Sequence, residues 1–70
     1  MKLSTRNRWQ GVVKAIKHGN IVSEVTLEMA PNISVTTVVS KFSAEALGLK
    51  VGGKAYALVK STEVTLAVDC

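Results

Sequence analysis

The sequence holds one cysteine, Cys70 at its last position, and one histidine, His18, in 70 residues. A lone cysteine excludes an internal disulfide, and the carboxylates, scattered singly, give no spacing expected of a metal site. The aromatic residues are Trp9, Phe42 and Tyr56, too few for the usual base-stacking platform of a single-strand nucleic-acid binder. No stretch approaches the roughly 20 apolar residues that span a bilayer. The opening MKLSTRNR reaches no apolar segment of the kind that marks a signal peptide, so a cytoplasmic location is expected. Catalytic groupings are also missing. There is no phosphate-binding glycine loop and no dinucleotide fingerprint. No serine or cysteine nucleophile is partnered in sequence to His18, which reads as an exposed turn residue. Glu24 and Glu28 read as a solvated strand face, and Cys70 as incidental. The sequence argues against an enzyme.

Apolar residues, by contrast, are abundant. They make up 47% of the chain, and the mean hydropathy is +0.26. A chain this short buries only about 60% of its unfolded surface, so its own core is thin. Small domains make up for this with disulfides, a metal or self-association, and only self-association remains. The formal net charge of +4 points to an anionic partner. The nine Lys and Arg residues are spread along the chain and dense only around Arg6 and Arg8, which favours a small anion over nucleic acid.

The chain reads as short strands punctuated by turns. Residues 8–17 are β-prone around Val12, Val13 and Ile16, with Gly11 as a bulge or sharp bend. His18, Gly19 and Asn20 form a tight hairpin connection, since glycine and asparagine tolerate positive φ. In residues 21–29, Ile21, Val25, Leu27 and Met29 fall on one face and Glu24, Thr26 and Glu28 on the other, the pattern of a half-buried strand. After a turn at Ala30, Pro31 and Asn32, residues 33–39 set Ile33, Val35 and Val39 against Ser34, Thr36 and Val38. Residues 43–48 predict a helical turn with Ser43 as N-cap and Gly48 as its left-handed stop. A turn at 51–54 leads to a strand at 55–60, and residues 64–68 predict a fifth strand. The expected fold is all-β: a five-stranded OB-like barrel with one short helical turn between the third and fourth strands, filling residues 1–70 as one domain. Its open strand edges would invite pairing between subunits.

Three places combine hydroxyls, cations and backbone N–H groups at strand ends, as a tetrahedral dianion requires. They are Ser4, Thr5, Arg6 and Asn7; Ser40, Lys41 and Ser43; and Lys60, Ser61 and Thr62. The second adjoins a helix N-terminus, where unpaired N–H groups favour an anion. Each residue also has an ordinary structural explanation, as an N-cap, a solvated strand end or a chain terminus.

The segment S-T-R-N-R-W-Q-G at 4–11 resembles the S-A-R-N-x-x-x-G opening of the molybdenum-pterin-binding (Mop) family, the molbindins. The likeness continues through S-E-V-T-L-E at 23–28, V-V-S-K-F-S at 38–43, L-G-L-K-V-G at 47–52 and A-Y-A-L-V-K-S-T-E-V at 55–64. It spans essentially the whole chain in register. The same module occurs fused in molybdate-responsive regulators and molybdate transporter ATPases. The resemblance implies an OB-like fold assembled as a homohexamer, a trimer of dimers, holding molybdate or tungstate at subunit interfaces by hydrogen bonds, with no direct protein–metal ligand and no covalent cofactor. Carried over motif by motif, the anion-binding residues would be Ser4, Thr5, Arg6, Ser40, Lys41, Ser43, Lys60 and Ser61. Thr5 departs from the family's usual alanine, and Ser40 stands where threonine is common, which keeps the hydroxyl. An OB-type nucleic-acid-binding module and a regulatory domain of a larger regulator or transporter are the alternatives.

Overall fold

The computed structural model describes residues 7–69. Four strands, β1 (Asn7–His18), β2 (Val22–Ala30), β3 (Ile33–Ser40) and β4 (Lys54–Val59), form one antiparallel sheet in the order β3-β2-β1-β4. A short helix, α1 (Lys41–Ala46), follows β3, and a 3₁₀ turn at Ser61–Glu63 follows β4. The fold is thus all-β, a curled four-stranded sheet with one short helix.

Alternation explains which face of the sheet is buried. The register pairs Val13 with Leu27, Ile16 with Val25, Ser23 with Val39 and Leu27 with Val35, so these residues share the concave side. Val13, Val25 and Leu27 form the buried cluster, with Ile16, Met29, Val35, Val39, Leu49, Ala55 and Ala57 packed around it. Burying such a side chain contributes about 1.5–3 kcal/mol, so three of them make the thin core that the chain length implies. The convex side carries the Lys14–Glu28 ion pair at 2.8 Å and the hydroxyls of Thr26 and Thr36 at 3.3 Å.

Gly11 is buried opposite Ala55 of β4, and its lack of a side chain lets β1 lie close against β2. The bulge expected at Gly11 occurs three residues later, between Val13 and Ala15. There the loop before β4 is tied to β1: Gly52 N–H donates to the Val13 carbonyl and Val13 N–H to the Gly53 carbonyl, both at 2.8 Å.

The structure corrects four further expectations. The β1–β2 connection closes with a bond from Gly19 N–H to the Val22 carbonyl at 2.8 Å, yet neither Gly19 nor Asn20 has a positive φ. The one non-glycine residue with positive φ among the described residues is Asn32, at 65°, in the β2–β3 turn. Ile21 precedes β2 and is exposed, and Ser23 takes the inward position in that alternation. The helix begins earlier than predicted: Ser40, not Ser43, is the N-cap, accepting from Ser43 N–H. Gly48 does take the left-handed conformation expected of a helix stop, with φ 66°. Finally, residues 64–68 join no strand ladder within the described chain. Their alternate apolar side chains stand in the open, Leu66 at 89% and Val68 at 88% exposure.

Candidate anion-binding site

Of the eight residues proposed to hold an anion, Ser4, Thr5 and Arg6 lie outside the described residues, as does Cys70. The other five fall into two groups. Ser40, Lys41 and Ser43 sit where β3 passes into α1. Lys60 and Ser61 sit where β4 passes into the 3₁₀ turn.

The register shows how these groups are related. Val59 pairs with Asn7, at the start of β1. Ser40 pairs with Val22, just beyond the pairing of Ser23 with His18 at the end of β1. The two groups therefore lie at opposite ends of β1. That strand has 12 residues, and at roughly 3.4 Å per residue its ends are on the order of 35 Å apart along the sheet. One chain does not bring Lys60 and Ser61 to the same anion as Ser40 and Lys41.

At the α1 end, the hydroxyls are organised by local bonds. Ser40 Oγ donates to Ser43 Oγ at 2.8 Å while accepting from Ser43 N–H at 3.0 Å. Ser43 keeps its own hydroxyl proton, with no acceptor among the described residues. Two backbone amides expected to be open are already occupied: Ser43 N–H by the cap, and Lys41 N–H by the Ile21 carbonyl at 2.8 Å. The side-chain donors left at this end are the Ser43 hydroxyl and the Lys41 ammonium. Lys41 takes part in no ion pair among the described residues, where the ion pair is Lys14 with Glu28.

At the other end, the Lys60 carbonyl accepts from Glu63 N–H at 2.9 Å, which folds residues 61–63 into their single turn. Lys60 and Ser61 are both exposed, and neither has a side-chain partner among the described residues. Each end thus supplies one ammonium and one or two hydroxyls, with Lys41 half-buried and Lys60 exposed, which is part of an oxyanion shell rather than a complete one.

One polar pair escapes the sequence reading of His18 as a turn residue. His18 ends β1, and its Nδ1 lies 2.7 Å from Oγ of Ser23. The available signal was a serine at an apolar beat of the 21–29 alternation.

The TOBE domain model matches residues 3–66. Molybdenum-pterin-binding protein 3 of Clostridium pasteurianum is 42% identical over 66 residues, covering 94% of this chain and 97% of its own. Among solved structures, MopII from Clostridium pasteurianum superposes with a TM-score of 0.88 at 39% identity, covering 96% of this chain and all of the other. The cytoplasmic molybdate-binding protein ModG, solved with molybdate bound, gives a TM-score of 0.92 at 39% identity, with 99% of this chain matching 49% of that one. Molybdenum-pterin-binding protein 3 and ModG carry the names of binding proteins, not of enzymes. The chain belongs to the TOBE-domain family, among its molybdenum-pterin-binding (Mop) proteins.

Proposed function

We propose that this protein binds molybdate or tungstate in the cytoplasm, for storage, buffering or homeostasis, at the seams of a homo-oligomer. The observation that carries the proposal is the placement of two incomplete, cationic, hydroxyl-bearing groups at opposite ends of one strand. A donor set split in this way becomes an oxyanion shell only where the end of one chain meets another. Ser4, Thr5 and Arg6 precede β1 in the sequence, and the first described residue of β1, Asn7, pairs with Val59, next to Lys60 and Ser61. Binding by hydrogen bonds suits the donors, since an ammonium acts as a point charge and hydroxyls supply direction.

The apolar surface supports assembly. Val64, Leu66 and Val68 are exposed on a segment of strand-like alternation, while among the described residues β3 and β4 are the edge strands of the sheet. Pairing of residues 64–68 with the sheet of a second copy would supply the fifth strand of an OB-like barrel and remove an edge. A hexamer built as three dimers is the assembly this reading favours. The binding of molybdate by ModG, and the likeness of that protein to this chain, support the choice of ligand.

Native mass spectrometry of the full chain, with and without molybdate, tests the proposal. The expected result is a hexamer that gains a fixed number of anions. A monomer whose mass is unchanged by molybdate would refute it.

A further inference from the structure

The β1–β2 hairpin contains a polar pair that no anion needs to touch. Ser23 faces the interior beside Val25 and is 0% exposed. Among the described residues, its hydroxyl would lack a partner without the 2.7 Å bond to Nδ1 of His18 across the hairpin. A buried hydroxyl left without a partner is costly, so this bond keeps the hairpin shut.

The enclosed residues are bonded in turn to the α1 end of the candidate site. Val22 pairs with Ser40 in the sheet, and the Ile21 carbonyl accepts from Lys41 N–H at 2.8 Å. Gly19 N–H holds the Val22 carbonyl from within the turn, also at 2.8 Å. The backbone of Ser40 and Lys41 is therefore seated on a two-residue segment whose position depends on the His18–Ser23 bond.

We infer that His18 is a positioning residue for oxyanion binding, acting through Ser23 and the Ile21–Val22 backbone to hold Ser40 and Lys41 in place. The inference rests on the oxyanion reading above. Loss of the imidazole lets water in to satisfy Ser23, and this loosens the hairpin end and frees the Lys41 amide. A mobile Ser40 and Lys41 must then be ordered at the moment of binding, and the affinity falls by that ordering cost.

The test is calorimetric titration of the full-length protein with molybdate, alongside amide exchange at Lys41 without anion. Wild type, His18→Ala, His18→Asn, Ser23→Ala and the Ser23→Ala, His18→Ala double variant are compared. His18→Ala is expected to weaken binding about tenfold and to speed exchange at Lys41. His18→Asn, whose amide still offers a donor and an acceptor to Ser23, restores most of both. In the Ser23→Ala background the His18→Ala change is expected to cost less than about twofold, because the pair is already broken. Binding by His18→Ala equal to wild type overturns the inference, as does a loss of the same size in both backgrounds. Absence of wild-type binding heat is a distinct outcome that overturns the oxyanion reading itself, and this inference with it.

Discussion

A methyl group built on Gly11 would lie 2.7 Å from the carbonyl oxygen of Glu28 and 2.8 Å from Cγ of Leu27. One of these neighbours is backbone in the adjacent strand and the other is core, so neither yields without moving the sheet. Gly11→Ala is expected to destabilise the fold by about 1–3 kcal/mol, the usual cost of overpacking. Urea unfolding checks this, with a lower midpoint and an unchanged slope as the signature.

Asn32 holds the β2–β3 turn at φ 65°, a conformation that costs an ordinary L-residue about 1–2 kcal/mol. Asn32→Gly is expected to keep wild-type stability within a few tenths of a kcal/mol, whereas Asn32→Val loses about 1–2 kcal/mol because a β-branched side chain fits the left-handed region worst. Thermal melts of the two variants give the comparison.

Ser40 caps α1 and also belongs to the candidate site, and a carboxylate separates the two roles. Ser40→Ala removes the cap and is expected to cost about 1 kcal/mol. Ser40→Asp keeps a capping oxygen and near wild-type stability, yet sets a negative charge against an incoming oxyanion. Scanning calorimetry should show Ser40→Asp the more stable of the two, and molybdate titration should show it the weaker binder.

Lys60 is exposed and has no side-chain partner among the described residues, so its removal leaves the fold nearly untouched. Lys60→Met is expected to hold the anion-free melting temperature within about 2 °C. Its molybdate affinity should fall by about tenfold or more, through loss of a charge-assisted contact. The stabilisation seen on adding molybdate, which follows mass action, should shrink in step.

Leu66 is the most exposed of the large apolar residues described, and a charge there would have to be buried if residues 64–68 pair with another copy. Leu66→Asp is expected to shift the assembly towards monomer in analytical ultracentrifugation. Trp9, the single tryptophan, is 43% exposed beside β4, and its emission should move to longer wavelength in the same variant.

Most of the sheet was legible because alternation is a local signal. Val25, Leu27 and Met29 line up on the inward face of β2 as their spacing predicts, and Pro31 with Asn32 marks the β2–β3 turn. Parity alone misled at the start of that strand. Ile21 has the right beat but falls before the ladder begins, and Ser23 has the right beat but the wrong polarity, since its burial depends on His18 across the hairpin. The start of α1 was missed because Ser40 and Ser43 are both good caps. The choice between them follows from where β3 stops pairing, and a single segment does not encode that.

Residues 64–68 show the same limitation more sharply. Their alternation is as clean as that of β2, but a strand needs a partner, and the described chain offers none. For the site, residue types were readable and their grouping was not. Ser40, Lys41 and Ser43 do sit together, while Lys60 and Ser61 stand at the other end of the sheet. That separation is set by long-range register, not by spacing along the chain.

The strand order β3-β2-β1-β4 also bears on how the chain folds as it is made. The β1–β2 and β2–β3 pairings are hairpins between neighbours in sequence, whereas β1 meets β4 only by joining Asn7 to Val59. Local pairs close at little entropic cost and distant ones close later. During synthesis the three-stranded meander can form once residue 40 has emerged, and one edge of β1 then waits for residue 59. Through that interval the amide and carbonyl of Val13, later bound by Gly53 and Gly52, lie on an open edge. This is the stage at which nascent copies are most prone to pair with one another out of register.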